Sequence, residues 1–158
     1  MFIDIKEISK GGKLLSGRMT IETLNWQHGE SIGVSEVSYE LQLTPGERGL
    51  DLKGTMETTL ALNCSRCLEP YIFPLKHIFS LNLQEIRESK GKGEYQIEED
   101  EVDLYPLKEG KADLKEILIE QIYLNLPLKP LCDAECKGLC SVCGGNINNN
   151  GCRCPIPS

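Results

Sequence analysis

The sequence predicts an α+β protein: an antiparallel β-meander sheet with one main covering helix, followed by a cysteine-rich tail. Three observations carry that expectation. Apolar residues alternate at period two through residues 37–83, a capped helical pattern begins at Asp113, and the composition changes abruptly after Pro127.

The alternation falls into three runs, each marking a strand with one buried face. Val37, Tyr39, Leu41 and Leu43 share a face in the first run. Leu50, Leu52, Met56, Leu60 and Leu62 share one in the second, with Asp51, Lys53, Glu57 and Asn63 pointing the other way. Tyr71, Phe73, Leu75, Phe79, Leu81 and Leu83 line up in the third. Thr44-Pro45-Gly46-Glu47-Arg48-Gly49 joins the first two runs and has turn chemistry, since proline presets φ and glycine admits positive φ. The second and third meet at Cys64-Ser65-Arg66-Cys67-Leu68-Glu69-Pro70, which places a cysteine pair at a hairpin tip. Pro74 cannot donate to a ladder, so the third strand should be an edge or bulged there.

Residues 2–5 and 18–24 are expected to add short strands, with Gly11, Gly12 and Gly17 breaking the chain between them. Residues 90–93, Lys-Gly-Lys-Gly, read as a loop, and the carboxylate-rich residues 94–103 as a solvated connection or a charged edge strand. Asp113 can cap a helix, and Glu116 completes a capping-box pattern. Leu114, Ile117, Leu118 and Ile122 then recur at helical spacing, and Pro127 ends the helix at or before Leu126. The expected division is an α+β domain over residues 1–126 and a tail over residues 127–158.

The chain has 158 residues, 40% of them hydrophobic, enough to bury one core. No run approaches the ~18 apolar residues of a membrane span, and the N-terminus lacks the pattern of a signal peptide. A cytoplasmic location follows as the expectation, and there thiols stay reduced. The net charge of −7 opposes sequence-independent binding to nucleic acid by the whole surface. A protein partner, or a local basic patch meeting RNA, fits better.

Eight cysteines in such a chain point to metal or catalysis. The tail runs Cys132-x3-Cys136-x3-Cys140-x2-Cys143-x8-Cys152-x-Cys154 and has too few large apolar side chains to fold by burial. Zinc held by four thiolates supplies what a core cannot, so the tail is expected to be zinc-bound. Cys140-x2-Cys143-Gly144 is a zinc knuckle, its glycine allowing a sharp turn, and Cys64-x2-Cys67 has the same spacing. A redox reading of Cys64 and Cys67 fits less well, because a thioredoxin-like pair needs a βαβ setting and this one caps a hairpin.

Eight ligands make two ions, and two partitions stand open. In the preferred one, Cys64 and Cys67 join Cys132 and Cys136, while Cys140, Cys143, Cys152 and Cys154 form a second site, so that no chain segments cross. In the other, Cys132, Cys136, Cys140 and Cys143 form one site and leave Cys152, Cys154 and the hairpin pair to one another or to nothing. Both ions are expected to be structural: catalytic zinc keeps an open position and commonly uses His or carboxylate. His28 lies in a polar stretch, His77 on the apolar face of the third run, and neither belongs to a cysteine pair. No P-loop, dinucleotide or nucleophile-elbow motif appears. Trp26 reads as packing, and Arg66, Lys129, Lys137 and Arg153 either meet an anionic partner or offset thiolate charge.

Cys64-Ser65-Arg66-Cys67-Leu68 matches the Cys-x-Arg-Cys-Leu signature of the bacterial YceD family, and residues 126–144 look like its second signature. The order of the pieces fits as well, from β-rich half to acidic middle, helix start and tail. This resemblance implies a role in accumulation of the large-subunit ribosomal RNA, and no known catalytic activity. It also favours the preferred partition, because some members of the family lack the last four cysteines. The resulting expectation is a non-enzymatic ribosome biogenesis factor that supports 23S rRNA processing or accumulation. It would act through contacts with ribosomal RNA or an assembly protein, with two structural zinc ions, no membrane and no small-molecule substrate. The alternatives are a zinc-ribbon adaptor unrelated to ribosomes and a Cys-x-x-Cys thiol-redox protein.

Overall fold

The structure, a computed structural model, describes residues 1–8, 10–26, 31–47, 49–85, 104–152 and 154. The residues 90–93 loop, the acidic stretch 94–103, His28 and Arg153 lie outside them. The described chain is mainly antiparallel sheet with one α-helix, an α+β architecture.

Its spine is strand β6 (Leu50–Asn63), which pairs along its whole length with β7 (Pro70–Glu85), from Leu50↔Leu83 to Asn63↔Pro70. On its other edge β6 pairs first with β5 (Val37–Pro45) and then, at Leu60 and Ala61, with β4 (Ser31–Val34). Outside these lie β2 (Lys13–Met19) on β5, β3 (Thr23–Asn25) on β4, and β8 (Leu104–Leu107) parallel to the end of β7. A separate two-stranded ribbon joins β1 (Phe2–Asp4) to β9 (Lys111–Asp113), so the two ends of the α+β region meet.

The three alternating runs are β5, β6 and β7, and their predicted inward faces are the buried or half-buried ones. One side of the sheet faces water while the other carries the core, the usual state of an antiparallel sheet. Gly54 of β6 makes room for an aromatic ring: a Cβ there would lie 2.5 Å from Phe79 Cζ and 2.8 Å from Leu41 Cδ2. Pro74 sits opposite Thr59, on a stretch of β7 whose outer edge has no strand partner among the described residues, as its missing donor requires.

Gly17 does not break the chain. It lies within β2 opposite Tyr39, and a Cβ would lie 2.8 Å from the Tyr39 hydroxyl oxygen, so the glycine makes room for a cross-strand aromatic. The chain bends elsewhere, between β4 and β5. There the Ser35 N–H donates to the Thr59 carbonyl (3.0 Å), and the hydroxyls of Ser35 and buried Thr58 are 3.1 Å apart.

Helix α1 (Leu114–Leu124) starts where Asp113 accepts from the Lys115 N–H at 2.9 Å. It buries Leu114, Ile117, Leu118, Gln121 and Ile122 against the core and lies next to β7 and β9. Full burial of one such aliphatic side chain is worth about 1.5–3 kcal/mol. The helix stops before Pro127, as expected. Trp26 is half-buried against the same core. No described helix is long and apolar enough to cross a membrane.

Candidate metal centres

The long β6–β7 hairpin projects its tip beyond the core. Cys64 continues the inward alternation of Leu60 and Leu62 and is fully buried; Cys67 is 3% exposed. Between them the chain makes a knuckle. The Cys64 N–H donates to the Glu69 carbonyl (2.9 Å), the Leu68 N–H to the Cys64 carbonyl (2.9 Å), and the Arg66 N–H to Cys64 Sγ (3.4 Å).

Beyond the helix the tail returns to this tip. The Ser65 N–H donates to the Pro130 carbonyl at 2.8 Å, and Arg66 reaches across to the carbonyls of Cys136 (2.8 Å) and Ala134 (3.4 Å). Asp133 sets the intervening turn, its carboxylate accepting from the Glu135 N–H and its carbonyl from the Cys136 N–H. Cys132 and Cys136 are thereby brought to Cys64 and Cys67, and the four sulfurs lie within 4.8 Å of one another. Tyr71 and Leu131 pack around this group.

The second group, Cys140, Cys143, Cys152 and Cys154, is equally compact but more exposed. Its knuckle repeats the first bond for bond. The Cys140 N–H donates to the Gly145 carbonyl (2.8 Å), the Gly144 N–H to the Cys140 carbonyl (2.8 Å), and the Val142 N–H to Cys140 Sγ (3.4 Å). The loop from Cys143 to Cys152 carries a 3-10 turn, Ile147–Asn149, capped by the Asn146 side chain.

Neighbouring sulfurs lie 3.8 Å apart for Cys64–Cys136 and 3.6 Å for both Cys67–Cys132 and Cys143–Cys152. A disulfide needs about 2.05 Å. A tetrahedral ion with metal–sulfur bonds of about 2.3 Å sets sulfurs about 3.8 Å apart. All eight cysteines are free thiols, and each group of four could hold a metal ion.

Thiol ionisation points the same way. Burial pushes Cys64 up, but the N–H groups of Cys132, Cys67 and Arg66 outweigh it and bring its pKa down to about 6. Burial and then the sulfurs of Cys64, Cys67 and Cys136 push Cys132 up to about 12. In the second group, the N–H groups of Cys143 and Val142 lower Cys140 to about 6, while the sulfurs of Cys143 and Cys152 raise Cys154 to about 12. One thiol in each group ionises readily and another resists because its neighbours would be anions. A dication removes that conflict.

The grouping is the sequential one of the two partitions weighed above. Lys129 and Lys137 are exposed, and His77 stacks on Phe79 in β7, in neither cysteine group. Two participants were not legible in the sequence. Arg66 ties the tail loop to the hairpin, a task visible only once the loop is placed. Asn148, one of an asparagine-rich run, donates to Cys136 Sγ at 3.3 Å.

A family profile described as "Large ribosomal RNA subunit accumulation protein YceD" matches residues 52–156, spanning the hairpin, the helix and both cysteine groups. The chain belongs to the YceD family. YceD relatives similar to it include a chloroplastic large ribosomal RNA subunit accumulation protein YCED homolog 1 from Zea mays. That protein is 29% identical over 128 residues, covering 66% of this chain and 44% of the relative. The Arabidopsis thaliana protein of the same name is 22% identical over 158 residues, covering 87% of this chain and 48% of the relative. An uncharacterised Mycobacterium tuberculosis protein is 28% identical over 109 residues, covering 66% of this chain and 48% of the relative. This chain thus spans about half the length of the curated relatives it matches. No solved structure matches it. The YceD family is named for accumulation of a ribosomal RNA and not for a reaction.

Proposed function

We propose that this chain is a non-enzymatic, cytoplasmic ribosome biogenesis factor that supports processing or accumulation of 23S rRNA and holds two structural zinc ions. The observation that carries the reading is the family match over residues that include both four-sulfur groups at tetrahedral spacing. Cys64, Cys67, Cys132 and Cys136 would hold one ion and pin residues 127–158 to the sheet of residues 1–126. Cys140, Cys143, Cys152 and Cys154 would hold the other and fold the tail end. All-thiolate coordination leaves no open position for a substrate, which supports a structural role for the metal. The partner is ribosomal RNA or an assembly protein, met by contact and without a small-molecule substrate.

The test has two parts. Elemental analysis of protein purified without chelator should give close to two zinc ions per chain. A metal-free protein with an oxidised Cys64–Cys67 pair would replace this reading with the thiol-redox one. In cells, the protein should co-sediment with large-subunit precursors and its deletion should lower 23S rRNA. Zinc-loaded protein absent from those fractions, with normal rRNA in the deletion strain, would instead favour an adaptor unrelated to ribosomes.

A further inference from the structure

The two cysteine groups share no ligand, yet they are not independent. The loop that closes the second group, between Cys143 and Cys152, folds back over the chain leading out of the first. Leu139 and Asn146 form an antiparallel bridge, and the Ile147 N–H donates to the Gly138 carbonyl at 3.0 Å. This seats the 3-10 turn Ile147–Asn149 beside Cys136.

At its centre, the Asn148 side chain makes two contacts with the first group's own segment. Its Oδ1 accepts from the Lys137 N–H at 2.8 Å, and its Nδ2 donates to Cys136 Sγ at 3.3 Å. The same Nδ2 lies 2.9 Å from Asn146 Oδ1, which also accepts from the Asn148 N–H, so the amide is held at both ends. The N–H donors inside each knuckle, Arg66 to Cys64 and Val142 to Cys140, come from the knuckle itself. Asn148 differs: its donor to the first group is supplied by the loop of the second.

An N–H pointed at a thiolate stabilises the anion and fixes the direction of its lone pairs, which is how groups outside the coordination shell tune metal affinity. Resting on the two-ion reading above, we infer that Asn148 is a positioning residue through which occupancy of the second cysteine group sets how tightly the first holds its ion. An ordered second loop keeps the amide on Cys136 Sγ. Emptying the second group frees the loop, withdraws the donor and loosens the first ion. Loading is therefore cooperative, each filled group tightening the other.

The test follows zinc release from the full chain into a chromogenic chelator, with each kinetic phase assigned by variants that keep one group. Asn148→Ala should speed release from the first group about tenfold. The double variant Cys143→Ser/Cys152→Ser should speed first-group release by a similar factor, and adding Asn148→Ala to it should add little. Asn148→Asp keeps the acceptor for the Lys137 N–H but turns an anionic oxygen toward Cys136 Sγ and Asn146 Oδ1 in place of Nδ2, so it should speed first-group release at least as much as Asn148→Ala. With cadmium-113 in place of zinc, either Asn148 variant should move the resonance of the first group alone. Unchanged first-group release in the Asn148 variants, or an Asn148→Ala effect that persists in full on top of Cys143→Ser/Cys152→Ser, would overturn the coupling while leaving the zinc reading intact. A metal count near zero in the unmutated chain, measured first, would instead remove the reading on which the coupling rests.

Discussion

At Cys64 and at Cys140 the backbone makes the same knuckle in opposite surroundings. Both turns close with the same three hydrogen bonds, and both put the fifth residue in the left-handed region, Leu68 at φ 61° and Gly144 at φ 71°. Around the first, three of the four cysteines are buried and the supports come from elsewhere: Pro130, Ala134, Tyr71 and Leu131. Around the second, Cys143 is exposed, the others are half-exposed, and the hydrogen bonds stay within the tail. One knuckle joins two distant parts of the chain, while the other closes a short loop on itself. Identical local chemistry thus serves an anchor in one place and a fold nucleus in the other, and the surroundings decide which.

The widest separation between the two should come from removing one ligand in each. Cys64→Ser should cost one zinc ion and destabilise the whole chain by on the order of 5 kcal/mol, a fraction of the ~10–16 kcal/mol that structural zinc contributes in peptides. Cys152→Ser should also cost one ion, yet move denaturant unfolding of the sheet by no more than about 1.4 kcal/mol, the amount that a tenfold weaker first site carries. Unfolding followed through half-buried Trp26 reads the sheet directly. Equal losses at the two positions would erase the distinction between anchor and nucleus.

Arg66 tests the anchor more gently. Its guanidinium holds the tail loop through the carbonyls of Cys136 and Ala134, and hydrogen bonds from a charged donor contribute about 1.5–3 kcal/mol each at best. Both bonds leave one nitrogen, Nη1, which the shorter lysine stem does not reach. Arg66→Lys should therefore cost about 1–2 kcal/mol and speed zinc loss from the first group, with the second group's release unchanged. A matching loss in both groups would mean that Arg66 acts on the tail as a whole.

The hairpin, the helix and its cap were legible because each is a local pattern: alternation at period two, a 3.6-residue stripe, an aspartate before an apolar run. The cysteine spacing announced the knuckles for the same reason, since Cys-x2-Cys is a property of four consecutive residues. What was not legible is long-range. β1 pairs with β9 more than a hundred residues away, and nothing in Phe2–Asp4 names that partner. Gly17 read as a break because its reason for being glycine, the Tyr39 hydroxyl, sits on another strand. The grouping of the eight cysteines was open for the same cause: spacing limits which of them can meet, and only the return of the tail to the hairpin brings Cys132 and Cys136 to Cys64 and Cys67. Asn148 was hidden among asparagines whose composition says only turn.

The subtlest difference lies in the fifth residue of each knuckle. A Cβ on Gly144 would meet nothing within 4 Å, so Gly144→Ala isolates the cost of the left-handed backbone, about 1 kcal/mol, expected as weaker zinc retention by the second group alone. The first knuckle already bears that cost, because Leu68 holds φ 61° with its side chain 64% exposed. Leu68→Gly relieves the strain but frees the unfolded chain by about 0.4–1 kcal/mol, so the two terms nearly cancel. Denaturant unfolding of Leu68→Gly should stay within about 0.5 kcal/mol of the unmutated chain. A clear destabilisation would show that the leucine side chain makes stabilising contacts in the folded chain. An unchanged stability with lowered 23S rRNA in cells would place Leu68 on the surface that meets the partner. An apolar, solvent-facing residue with positive φ at the tip of the hairpin is thus no more stabilising than the glycine of the neighbouring knuckle, and contact with a partner is the function that the rRNA measurement on Leu68→Gly tests.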